Sequence, residues 1–104
     1  MKTNELTGAA LDWMVNKCSG MTRDVALSGH YTYKPSTNWA QGGPIIEREE
    51  IAHWPDEEGG WFASANEGQG KDFHGPTPLI AAMRCYVASV FGDEVDVPEE
   101  LSHT

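Results

Sequence analysis

The chain has 104 residues, 39% of them hydrophobic, with 7 Lys+Arg against 16 Asp+Glu and a formal net charge of −9. That length suits one domain with a modest core; four tryptophans exclude a disordered acidic tail, and the acidity excludes binding nucleic acid through its phosphates. No apolar run approaches the ~20 residues needed to cross a bilayer and no signal-peptide core follows Met1, so a soluble cytosolic protein without a membrane partner is expected.

The charge is unevenly placed. Residues 1–34 carry +1 and residues 35–104 carry −10. The second region sets up a negative field that favours solubility and can steer a basic partner. Two cysteines, Cys18 and Cys85, make no disulfide framework and read as small buried hydrophobes.

In chain order, Leu6 to Cys18 is expected as a helix capped by Thr3 or Thr7. Leu11, Val15 and Cys18 fall at helical spacing, Trp13 and Met14 widen the stripe, and Gly20 stops it. Residues 24–65 read as strands and loops. Val25-Ala26-Leu27, His30 to Tyr33, Pro44 to Glu47 and Ile51 to Trp54 are the extended runs. Trp61 to Ala65 returns as a hairpin partner after the Pro55-to-Gly60 turn. Asn66 to Gly75 loses periodicity and reads as a surface loop, or one that orders around a partner. A second helix runs from the Thr77 N-cap, with Pro78 at its first position, to Gly92. Leu79, Ile80, Met83, Tyr86, Val87, Val90 and Phe91 form its apolar stripe. Its small residues Ala81, Ala82, Cys85 and Ala88 admit close approach, either within the chain or in a homo-oligomer. Val95 and Val97 alternate with acids as a short last strand, ended by Pro98.

The fold class expected is therefore α+β, two helices packed on a small, mostly antiparallel sheet. Residues 1–104 form a single domain, frayed over 99–104.

Tests for chemistry are mostly negative. His30, His53, His74 and His103 show no metal-ligand spacing, so no metal site is expected. Gly68-Gln69-Gly70-Lys71 lacks the flanking residues of a phosphate loop: Ala65 and Asp72 stand where Gly and Ser/Thr are required. There is no nucleophile elbow. The carboxylates Glu47, Glu49 and Glu50 read as a solvated rim unless a cleft desolvates one. No catalytic residue and no cofactor is assigned.

Tyr33 to Pro44 is the most unusual stretch. Trp39 can stack on a planar ligand while Ser36, Asn38 and Gln41 hydrogen-bond its edge. Arg48, or the helix start at Thr77, would hold an anionic group. The alternative is a structural loop pinned into the core by Trp39, with Ser36 or Thr37 capping a helical turn.

Three stretches also carry a likeness: Leu6 to Trp13, Pro35-Ser36-Thr37-Asn38-Trp39-Ala40-Gln41-Gly42-Gly43-Pro44-Ile45-Ile46-Glu47-Arg48-Glu49, and Gly75 to Arg84. With the acidic ending Phe91 to Leu101, they resemble the phage NinX family. Asn38 departs from that pattern, which has Asp before the Trp. The resemblance implies a small protein of lambdoid phages and prophages, made in the host bacterial cytoplasm, and brings no catalytic residues with it. The leading expectation is a non-enzymatic accessory protein that binds a small polar or nucleotide-like ligand. An acidic inhibitor or decoy of a basic host protein is the alternative, and a nucleotide hydrolase the second alternative.

Overall fold

The computed structural model of the chain describes residues 2–18, 34–65, 71–97 and 101. Its elements are a 3-10 turn at Thr3–Glu5, then α1 (Gly8–Cys18), α2 (Trp39–Arg48), β1 (Ala52–Pro55), β2 (Trp61–Ser64), β3 (Asp72–Gly75) and α3 (Pro78–Phe91). The fold is α+β, and among the described residues there is one more helix than the sequence patterning suggests.

Helix α3 forms for local reasons. Thr77 Oγ1 accepts from Ile80 N–H at 3.1 Å, and Pro78 opens the first turn without wasting a donor. Gly92 ends the helix at φ +90°, a conformation that carries no Cβ penalty in glycine. Leu79, Ala81, Ala82, Met83, Cys85, Tyr86 and Val87 are buried, so the small-residue face is used within the chain.

The sheet is an antiparallel meander ordered β1-β2-β3, with Trp54 opposite Phe62 and Phe62 opposite His74. Its first turn follows from composition. Asp56 Oδ1 accepts from Glu58 N–H at 3.2 Å, and Gly59 and Gly60 take φ +102° and +83°, as the glycines permit. Helix α3 crosses all three strands. It comes so close to β3 that a Cβ on Gly75 would lie 2.7 Å from Ala81 N. Helix α1 packs on the other side of α3, placing Leu11, Met14 and Val15 in one core with Met83 and Val87.

The segment Pro44 to Glu47 is helical, not extended. Asn38 Oδ1 accepts from Ala40 N–H at 2.9 Å and starts α2. Burial of Gly42 and Ile45 then holds the helix against the poor propensity of Gly-Gly-Pro. Its end is a Schellman turn on a non-glycine residue: Ile51 N–H donates to Ile46 C=O at 3.0 Å and Glu50 N–H to Glu47 C=O at 3.3 Å. Glu50 sits at φ +54°, so no glycine marks this stop.

Three other expectations change. Residues 72–75 are the third strand of the sheet, since the register with β2 supplies the pairing that local periodicity lacks. Val95 and Val97 lie outside any strand, and among the described residues one isolated antiparallel bridge, Lys2 to Glu94, forms there. Helix α1 begins at Gly8 because Thr3–Glu5 is a separate turn, and Thr3 Oγ1 donates to Gly92 C=O at 2.7 Å rather than capping α1. Leu101 packs against the core. The runs at 25–27 and 30–33 and the stop at Gly20 lie outside the described residues.

Candidate functional site

The site is built at the start of α2. The Asn38 cap fixes the first turn, and a second tie comes from the preceding chain, where Gln41 Oε1 accepts from Lys34 N–H. Gly42 seats the helix: a Cβ there would fall 2.4 Å from Pro35 O and 2.6 Å from Leu79 Cδ2. Trp39 is thereby held at the surface, 51% exposed. Its ring centroid lies 6.2 Å from that of His53, and His53 lies 5.9 Å, edge-on, from Trp61. Two indoles thus flank one imidazole on a shelf between α2 and the hairpin.

The sequence-assigned residues divide. Asn38 and Trp39 belong to this shelf, whereas Gln41, two residues beyond Trp39 and so about 200° round the helix, takes its bond from Lys34 N–H. Thr77 caps α3, and Leu79, two residues on, lies against the Gly42 position of α2. Ser36 is buried: its N–H donates to Asp12 Oδ1 at 2.9 Å, and its own Oγ makes no well-formed hydrogen bond. Arg48 stands at the far end of α2, about 13 Å along the axis from Trp39 at 1.5 Å per residue. There it pairs with Glu49 Oε2 at 2.8 Å and Tyr86 OH at 3.1 Å. His53 and Trp61 are new members of the cluster. No sequence spacing links them to Trp39, though the Asp56–Gly60 turn would have let their strand register be counted.

A family model described as "Bacteriophage P22, NinX" matches residues 2–90. The chain belongs to this NinX family. The match includes the Trp39 segment, the hairpin and most of α3, and stops short of the acidic ending. No curated protein matches the chain.

Among the described residues no three His, Cys, Asp or Glu side chains converge as metal ligands, and no helix is long and apolar enough to cross a membrane. Glu47, Glu49 and Glu50 are exposed. Burial pushes the Cys18 thiol up to about 12, helped by the charge of Glu49, and the Cys85 thiol to about 11. Neither supplies a thiolate at neutral pH.

Asp12 gives a pH prediction. Burial raises its carboxyl pKa above the ordinary value, against the Ser36 dipoles and the Lys34 charge that lower it. A folded pKa above the unfolded one stabilises the fold below the unfolded value, and that contribution is lost as pH rises through the folded value. Asp12→Asn keeps an acceptor for Ser36 N–H and removes the buried charge. The variant is expected to be at least as stable as the wild type at pH 7 in urea denaturation. Its advantage should shrink as pH falls toward 4. A loss of more than about 1 kcal/mol at pH 7 would show the ionised carboxylate to be a net asset.

Proposed function

We propose that this NinX chain is a phage accessory module that binds, without turning over, a small planar polar or nucleotide-like ligand on the shelf of Trp39, His53 and Trp61. The observation that carries the reading is a half-exposed indole, Trp39, beside an imidazole, His53, that a second indole, Trp61, meets edge-on. Trp61 packs against the core, while Trp39 and His53 stay exposed and offer a π-surface that can cover a heterocycle from one side. Asn38 spends its carbonyl on the cap and keeps its amide NH2 to read a ligand acceptor. The first turn of α3 at Thr77 is the group we assign to an anionic substituent.

Differential scanning fluorimetry and isothermal titration against nucleosides, nucleotides and heteroaromatic metabolites test this. A ligand at 100 times its Kd should stabilise the fold by about 2.7 kcal/mol, on the order of 10 °C in Tm. Trp39→Ala should weaken binding by about 1–3 kcal/mol, the usual worth of one base–aromatic stack, with an unchanged circular dichroism spectrum. A folded sample that responds to no compound overturns the reading, as does a hit that Trp39→Ala leaves intact.

A further inference from the structure

The two faces of the sheet differ in a way that the shelf at Trp39 does not account for. Residues alternate between faces along each strand. Ala63, Phe73 and Gly75 share one face, are buried, and meet α3 there. Trp54, Phe62 and His74 share the other and form one row across all three strands. Trp54 stacks on Phe62 with centroids 5.9 Å apart and planes at 30°, and Phe62 meets the His74 ring edge-on at 5.0 Å. Neither Trp54 nor Phe62 joins the core cluster or the partly buried residues packed against it. Two large apolar side chains, both partly buried, are therefore placed on the face turned away from α3.

The row is held in place and ringed by acid. His74 Nε2 lies 3.1 Å from Asp56 Oδ2. A Cβ at Gly60 would come within 2.8 Å of the His74 ring, so glycine lets the turn close over it. Glu57 and Glu58 stand exposed beyond Asp56, and Asp72, exposed on the same face, flanks the other end opposite Ser64. Residues 52–64 contain no Lys or Arg.

We propose that this face docks a partner protein through a basic, apolar segment, with an arginine guanidinium laid on Trp54 and Phe62 and paired to Glu57 and Glu58. The charge selects the partner: phosphate backbones and anionic lipid are repelled, and a cation is attracted. Arginine fits better than lysine, because its planar fork stacks on a ring face while bonding a carboxylate at its edge. A row spanning three strands, about 10 Å at 4.8 Å per strand, suits successive side chains of a protein segment rather than one small cation. Rigid aromatic anchors with a charged rim are the composition of protein interfaces. The inference is independent of the ligand shelf, which lies on the α3 side of the hairpin.

The test titrates the 15N-labelled full chain with a peptide of alternating Arg and Leu. Matched Arg/Ser and Glu/Leu peptides are run beside it. The Arg/Leu peptide should move the Trp54 indole N–H and the amides of β1, β2 and β3, and the Glu/Leu peptide should move none. Phe62→Ser should weaken binding tenfold or more. The double charge reversal Glu57→Lys, Glu58→Lys, at two exposed turn residues, should abolish it with an unchanged circular dichroism spectrum. Equal affinity for the Arg/Ser peptide would reduce the effect to general charge attraction and overturn the proposal. Shifts confined to the helices would also overturn it. So would sedimentation showing a dimer of the free chain that Phe62→Ser dissolves, since the occupant would then be a second copy.

Discussion

Gly42→Ala is expected to destabilise the protein by about 1–2 kcal/mol, the overpacking cost less the helix-propensity gain, while the same change one residue later, Gly43→Ala, is expected to stabilise it. In a helix interior alanine normally exceeds glycine by roughly 0.5–1 kcal/mol. Gly43 should show that gain, because the nearest atom to its added Cβ is Trp39 Cε3 at 4.0 Å. At Gly42 the added Cβ meets Pro35 O at 2.4 Å and Leu79 Cδ2 at 2.6 Å. Leu79 can change rotamer, but a backbone carbonyl cannot, so either the 34–38 turn or α2 itself must move. Overpacking of that kind costs about 1–3 kcal/mol, occasionally more, and here it exceeds the helix-propensity gain. In thermal unfolding the loss corresponds to on the order of 10 °C. A Gly42→Ala protein within 0.5 kcal/mol of wild type, roughly the spread of neutral surface changes, would mean that α2 is not seated on the turn before it. The pair also bears on the ligand shelf, since moving α2 moves Trp39 away from His53.

How far the sequence discloses this molecule depends on whether the deciding contacts are local. Helix α3 is legible because Thr77, Pro78 and Gly92 act within its own span. The hairpin is legible because Asp56, Gly59 and Gly60 shape their own turn. Helix α2 is not. Its Gly-Gly-Pro run argues for a loop, and what overrides it is the burial of Gly42 and Ile45 and a stop at Glu50 that no glycine announces. Strand β3 is similarly hidden, its four residues being extended by pairing with β2. The candidate site follows the same rule. Trp39 stands out in sequence as an aromatic among polar side chains, and Asn38 as a residue suited to local hydrogen bonding. His53 and Trp61 join it only because the start of α2 brings the Trp39 ring to 6.2 Å from His53, and Ser36 leaves it because Asp12 on α1 draws its backbone inward.

Arg84→Met is expected to lower stability by about 2–3 kcal/mol, through two carbonyls rather than through lost charge. Arg84 lies half-buried on α3. Its Nε donates to Leu6 C=O at 2.7 Å and its Nη1 to His74 C=O at 2.7 Å. It therefore ties the fully buried Leu6 and the end of β3 to one helix. Burial lowers the pKa of the guanidinium from its ordinary value, with the charge of Glu5 opposing; the group stays charged throughout the working pH range. A hydrogen bond from a charged donor contributes roughly 1.5–3 kcal/mol where it is shielded. The bond to Leu6 is partly buried and that to His74 is exposed, so the second deserves the lower end or less. Methionine fills the space of the aliphatic stem but leaves both carbonyls unmatched. Arg84→Lys separates the two contributions, because an ammonium acts as one point and cannot reproduce the fork; it should recover less than half of the loss. Urea denaturation of the three proteins at pH 7 measures this, with equal m-values as the sign that all three fold alike. Recovery of full stability by lysine would assign the effect to charge near Glu5, and an unchanged Arg84→Met midpoint would remove Arg84 from the contacts that hold the N-terminal turn against the sheet.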